Sequence, residues 1–263
     1  LNYFYPELPM QELYPVNLPR VQADTQSLEV QAGRTAALRF LHGEERGIVF
    51  VTAEAWLQKQ IQPAGAMAQK LILDVGQELD QQKIIADLIE LGYERTEQVD
   101  ALGQFCVRGE ILDVYPINSN APVRVEWFDT EIDAIRSFSL DNQRSIQALD
   151  TIDIAPISID DDDECTATVF DYCSENTLIL IDEPSHVIGL LEKLEKENKD
   201  FKEDIFTTTE ILEQCQTAGA FLVSALGHSY LIEAPKINMP VRTVAPYNKN
   251  VGLLTEDLKN WLA

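Results

Sequence analysis

Positive charge is what this sequence most lacks. Its 263 residues carry 20 Lys and Arg against 44 Asp and Glu, a formal net charge of −24. Such a surface repels a phosphate backbone, so direct nucleic-acid binding is not expected outside a small surviving basic patch, and proteins are the expected partners. Cysteine is sparse and scattered: Cys106, Cys165, Cys173 and Cys215 form no CxxC pair and have no neighbouring histidine. That spacing argues against a zinc site or a disulfide scaffold and suits a reducing cytoplasm. His42, His186 and His228 stand apart from one another and from any GxSxG elbow, and only His186, just after Asp182 and Glu183, keeps a place as a catalytic candidate. None of the 12 glycines is followed by lysine. The GxxxxGK[ST] phosphate cradle is therefore missing, and nucleotide hydrolysis by this chain alone is not expected. Apolar runs such as Ala218–Val223 fall far short of a membrane span. The chain opens at Leu1 without methionine or a signal-peptide pattern, in an aromatic, proline-bearing stretch, so an internal piece of a larger protein is the expectation.

What the sequence does have is a strand-rich stretch from Gly103 to Phe138. In Val123-Arg124-Val125-Glu126-Trp127-Phe128 the side chains alternate, placing Val123, Val125 and Trp127 on one face and Arg124, Glu126 and Phe128 on the other. An aromatic beside an arginine on the polar face has two readings: a partner-binding surface, where both residue types are enriched, or a second core layer covered by Phe128.

The length allows two or three packed units. Residues Leu1 to about Pro19 read as an extended surface segment, Arg34 to Leu41 as a helix, Ile48–Val51 as a strand buried on both faces and Ala53 to Lys59 as a helix, an α/β pattern. A second unit starts near Leu71. Asp80 is its predicted N-cap, Ile84, Ile85, Leu88 and Leu91 recur at helical spacing, and Gly92 suits a left-handed C-terminal cap. Strands follow, punctuated at Ala101-Leu102-Gly103, Asn118-Ser119-Asn120 and Asp129-Thr130, and the unit closes near Ile152–Pro156. The acidic run Asp160–Glu164 reads as a solvated linker. Beyond it the α/β pattern resumes, with a strand at Thr177–Ile181, a helix at Val187–Leu194, a capping box at Thr207 and Glu210, a buried strand at Phe221–Val223 and a last helix capped by Thr255 that carries Leu258, Trp261 and Leu262. An apolar strand that ends in Asp182-Glu183 is also where a nucleotide hydrolase holds magnesium.

The run LGYERTEQVDALGQFCVRGEILDVYP, then PVRVEWFDTEIDAIRSF and Gln143-Arg144-Ser145, resembles the UvrB-homology module of bacterial transcription-repair coupling factors over Leu71 to Pro156. Outside it, Tyr14-Pro15-Val16 and Gly47–Val51 are similar to that family's first domain, and Asp182-Glu183-Pro184-Ser185-His186 to a decayed DExx box. UvrB is similar over the same stretch but typically carries arginine where this chain has Cys106. The resemblance implies an α/β fold: a degenerate RecA-like, helicase-type domain formed by residues 1–70 and 159–263, interrupted at 71–158 by an α+β domain of mainly antiparallel strands. It implies a non-catalytic, cofactor-free module that docks UvrA through Arg108, Arg124 and Phe128, with Asp182 and Glu183 as a degenerate Walker B-like pair. Masking by other domains of the parent protein, and RNA polymerase and DNA engaged only through parts not in this chain, are further implications. The alternative is a UvrB-type ATP-dependent, DNA-loading helicase subunit.

Overall fold

The computed structural model describes residues 5, 7–15, 28–159, 165–224, 237 and 251–262. The chain divides into two units, Leu1–Ser229 and Tyr230–Ala263. In the first, β1 (Met10–Leu13) pairs in parallel with β2 (Ile48–Val51), and α1 (Leu28–His42) connects them. The proline-rich opening is therefore not simply an extended surface segment, since Leu13 is fully buried. β2 is a strand as expected, but it is not buried on both faces: the described sheet has only two strands, and Phe50 and Val51 are exposed. Two short helices follow, α2 (Ala53–Leu57) and α3 (Pro63–Ala68).

β3 (Leu71–Asp74) leads into α4 (Gln81–Glu90). Asp80 caps α4 by accepting a hydrogen bond from the Gln82 N–H at 2.9 Å, and Ile84, Ile85 and Leu88 form its buried stripe. Gly92 ends it at φ +87°, where an added Cβ would lie 3.2 Å from Ile157 Cβ. A six-stranded sheet follows in simple sequence order: β4 (Glu94–Arg95), β5 (Gln104–Arg108), β6 (Ile111–Val114), β7 (Val123–Phe128), β8 (Glu131–Phe138) and β9 (Ser145–Leu149). All neighbours are antiparallel except β4 and β5. β10 (Thr151–Ile154) then returns to pair antiparallel with β3. The inner face of the large sheet (Phe105, Leu112, Val114, Val123, Val125, Trp127, Ile132 and Ile135) packs with α4 into one core. A single hydrophobic face explains the strict alternation along β7.

Two further cores lie in the first unit. One joins Leu13, Leu38 and Ala66 to Ile159, Val169 and Tyr172, drawing on chain from both sides of the α4 and large-sheet region. The other gathers Leu57 with Ile181, Leu191, Ile205 and Ile211 around β11 (Leu180–Asp182), α5 (Pro184–Glu197), α6 (Thr208–Ala218) and β12 (Phe221–Val223). The strand expected at Thr177–Ile181 sits later, because the Thr177 N–H closes a turn onto the Ser174 carbonyl at 3.0 Å. Neither parallel partner is buried on both faces: Leu180 is 60% and Phe221 58% exposed. The Thr207–Glu210 capping box is present, as its spacing predicts. In the second unit α7 spans Val251–Leu262, and Thr255 lies inside it rather than at its cap, its hydroxyl donating back to the Val251 carbonyl at 2.7 Å. The Asp160–Glu164 run, His228 and the side chains of Trp261 and Leu262 fall outside the described residues.

Candidate partner-binding face

The outer face of the six-stranded sheet carries the polar residues that alternation assigns to it. Register aligns Cys106, Asp113, Arg124, Arg136 and Ala148 in one row across β5 to β9. A second row aligns Arg108, Ile111, Glu126 and Ala134. Arg108 and Arg124 are thus brought onto one face, and a residue that sequence reasoning did not single out joins them. The Asp113 side chain, 2% exposed, accepts from Arg124 Nε at 2.6 Å and Nη2 at 2.8 Å, and from Arg108 Nη2 at 3.4 Å. Its signal was in the sequence, since alternation in Ile111-Leu112-Asp113-Val114 places Asp113 opposite the core-facing Leu112 and Val114.

Arg124 is not the free, exposed guanidinium that alternation suggested. Its side chain is 22% exposed, its Cζ lies 4.8 Å from the centroid of the buried Phe138 ring, and Gln143 Oε1 is 3.4 Å from Nη2. Hydrogen bonding to Asp113 pushes its pKa further up. Only Nη1 is left without a partner among the described residues. Arg108 is more open, at 55% side-chain exposure. Arg136 stands directly opposite Arg124, a like-charge pairing relieved because Arg136 takes Glu126 as its own carboxylate. Within this ladder Arg108, Arg124 and Arg136 face only Asp113 and Glu126, a cationic island in a chain of net charge −24.

Phe128 ends β7 on the same face. It is 77% exposed, so the reading in which it covers a second core layer is wrong. Trp127, its neighbour, points inward and donates its indole N–H to the Leu79 carbonyl at 3.2 Å, which fixes the strand end. Asp129, at φ 59°, then turns the chain into β8.

The family model described as the UvrB interaction domain matches residues 71–159, the segment that carries this whole face. The chain is also similar to the transcription-repair-coupling factor of Bacillus subtilis, at 29% identity over 80% of this chain and 23% of the relative. Residues 71–159 thus match a UvrB interaction domain, and the chain around them is similar to transcription-repair-coupling factors. Relatives from Staphylococcus epidermidis, at 33% identity over 55% of the chain and 12% of the relative, and from Escherichia coli, at 26% over 63% and 14%, carry the same name. The chain spans less than a quarter of the length of these relatives.

Of the other expected site residues, Asp182 closes β11 and Glu183 starts α5 in a left-handed conformation, φ 48°, its carboxylate accepting from the Ser224 hydroxyl at 3.2 Å. The UvrB interaction domain holds neither of them. Among the described residues no group of His, Cys, Asp and Glu has the geometry of a metal site, and no helix is long and apolar enough to cross a membrane.

Proposed function

We propose that the chain is a non-catalytic module that recruits UvrA in transcription-coupled nucleotide excision repair. The observation that carries this reading is Phe128, 77% exposed at the end of a strand whose polar face is a cationic ladder. Arg108 and the open Nη1 of Arg124 would meet carboxylates on UvrA, and Phe128 would be desolvated at the centre of the contact. Residues 71–158 form the docking domain on this reading. Residues 1–70 and 159–263 form a degenerate RecA-like domain that holds it, with Asp182 and Glu183 as remnants of a Walker B-like pair. RNA polymerase and DNA would be engaged by parts of a longer parent protein, other domains of which mask the face until activation, in the cytoplasm.

The test is a titration of purified UvrA with the chain and with its Phe128→Ala and Arg108→Ala variants. Loss of an anchor is expected to weaken binding by roughly thirtyfold. Unchanged affinity in both folded variants would reject the docking face. ATP turnover by the isolated chain would instead favour a UvrB-type helicase subunit.

A further inference from the structure

The cationic ladder does not stop at β7. In the pairing of β8 with β9, Ser137 faces Gln147 but Phe138 faces Ser145, so Ile146 is the extra residue of a bulge. The bulge leaves Ile146 63% exposed. Beside it lies an open depression of about 250 Å³ lined by Ala134, Arg136, Ile146 and Ala148 among others. Register puts Arg136, Ala134 and Ala148 on the same face as Arg124 and Glu126. Ala148 is two strands from Arg124, about 10 Å away at ordinary strand spacing. Small side chains at Ala134 and Ala148 make the hollow, Ile146 supplies an apolar rim, and Arg136 supplies charge. The Nε–H of Arg136 has no acceptor among the described residues.

We propose that the docking face continues across β8 and β9 and that this depression is a second anchor point for the same partner, taking an aliphatic side chain flanked by carboxylates. This rests on the docking reading above, which it extends from a single aromatic anchor to two apolar anchors, Phe128 and Ile146, on either side of the arginines. Charge decides the chemistry of the occupant: Arg136 is the charged residue of the lining and stands directly opposite Arg124, so acidic neighbours are favoured and basic ones repelled. The bulge decides the mode of contact. A bulged edge strand is a poor template for strand addition, so the occupant approaches the face rather than pairing with the edge of β9.

The experiment titrates purified UvrA with the chain carrying Ile146→Ser, Ala148→Trp or Phe128→Ala, with thermal melting of each and sedimentation of the free chain. Ile146→Ser is expected to weaken binding about fivefold and Ala148→Trp, which fills the hollow, about tenfold or more, with melting unchanged. Wild-type affinity in both, alongside weakened binding by Phe128→Ala, would overturn the second anchor and leave the recruitment reading standing. Absence of binding by the unsubstituted chain would overturn both. A concentration-dependent dimer abolished by Ala148→Trp, with UvrA affinity unmoved, would assign the depression to a second copy of this chain and also overturn the proposal. Should Ala148→Trp lower the melting temperature, Ile146→Ser decides alone.

Discussion

Arg124 grips Asp113 through two hydrogen bonds, 2.6 Å from Nε and 2.8 Å from Nη2, while the Asp113 side chain is all but sealed from solvent. The pair is therefore part of the sheet as well as part of its surface. Burial of one carboxylate between two arginines fixes where both guanidinium groups stand, so Asp113 positions Arg108 and Arg124.

Removing either member of that pair is expected to cost stability. Asp113→Ala leaves the half-buried Arg124 without its carboxylate, and Arg124→Ala leaves a buried carboxylate with only the 3.4 Å contact from Arg108 and a weak thiol hydrogen bond from Cys106 at 3.9 Å. Each should lower unfolding stability by about 3 kcal/mol, the usual scale for breaking a buried ion pair from one side. Urea denaturation of both variants checks this. Midpoints equal to wild type would mean that the ladder is held by something other than Asp113.

Phe128 should behave in the opposite way. With 77% of its surface open, Phe128→Ala removes almost no buried contact and is expected to change stability by less than about 0.5 kcal/mol. The same denaturation series measures it. A large drop would place Phe128 in a packing role and remove it as a clean probe of docking, whereas Arg124→Ala is already a poor probe because it mixes folding with binding.

The six-stranded sheet was the most legible part of the chain because one-sided burial imposes period two. Val123, Val125 and Trp127 point inward and Arg124, Glu126 and Phe128 outward, as alternation predicts. The Asp80 cap, the left-handed Gly92 and the Thr207–Glu210 box were equally readable, each being a local signal with a local cause. What alternation could not supply was cross-strand pairing. It assigns Arg124 to a face but says nothing of Asp113 on β6, 11 residues earlier, or of Phe138 beneath the guanidinium. The apolar runs at Ile48–Val51 and Phe221–Val223 misled in another way, since hydrophobic content signals burial but their two-stranded sheets leave part of each strand open.

Tyr93 ties together three segments of the region that matches the UvrB interaction domain. It is 3% exposed, its hydroxyl donates to the Ala155 carbonyl at 2.8 Å and accepts from the Ile117 N–H at 3.3 Å, and burial pushes its pKa far up. Tyr93→Phe keeps the ring and strands two backbone groups, so a loss of about 1–3 kcal/mol is expected. Hydrogen exchange should show it as faster exchange at the Ile117 amide. Protection equal to wild type there would mean that another acceptor satisfies it.

The first turn of α6 should be acid-sensitive. Glu210 accepts from the Thr207 N–H at 2.7 Å and from its hydroxyl at 2.8 Å, and Glu195, reaching over from α5, accepts from the Thr208 N–H at 2.9 Å and hydroxyl at 2.7 Å. These bonds, the backbone ones foremost, hold both carboxyls below the ordinary value of 4.5. A carboxyl depressed in the folded state takes up protons more readily once unfolded, so its stabilisation is complete above pH 4.5 and is lost as pH falls below that value through the folded-state pKa. Both groups are largely open to solvent, so the effect is modest. A Glu195→Gln, Glu210→Gln double variant should therefore melt below wild type at neutral pH, and the gap should close as pH drops below about 4.5. Melting curves across that range decide it, because a gap of the same size at neutral and acidic pH would mean that the two carboxylates do not carry the caps as anions.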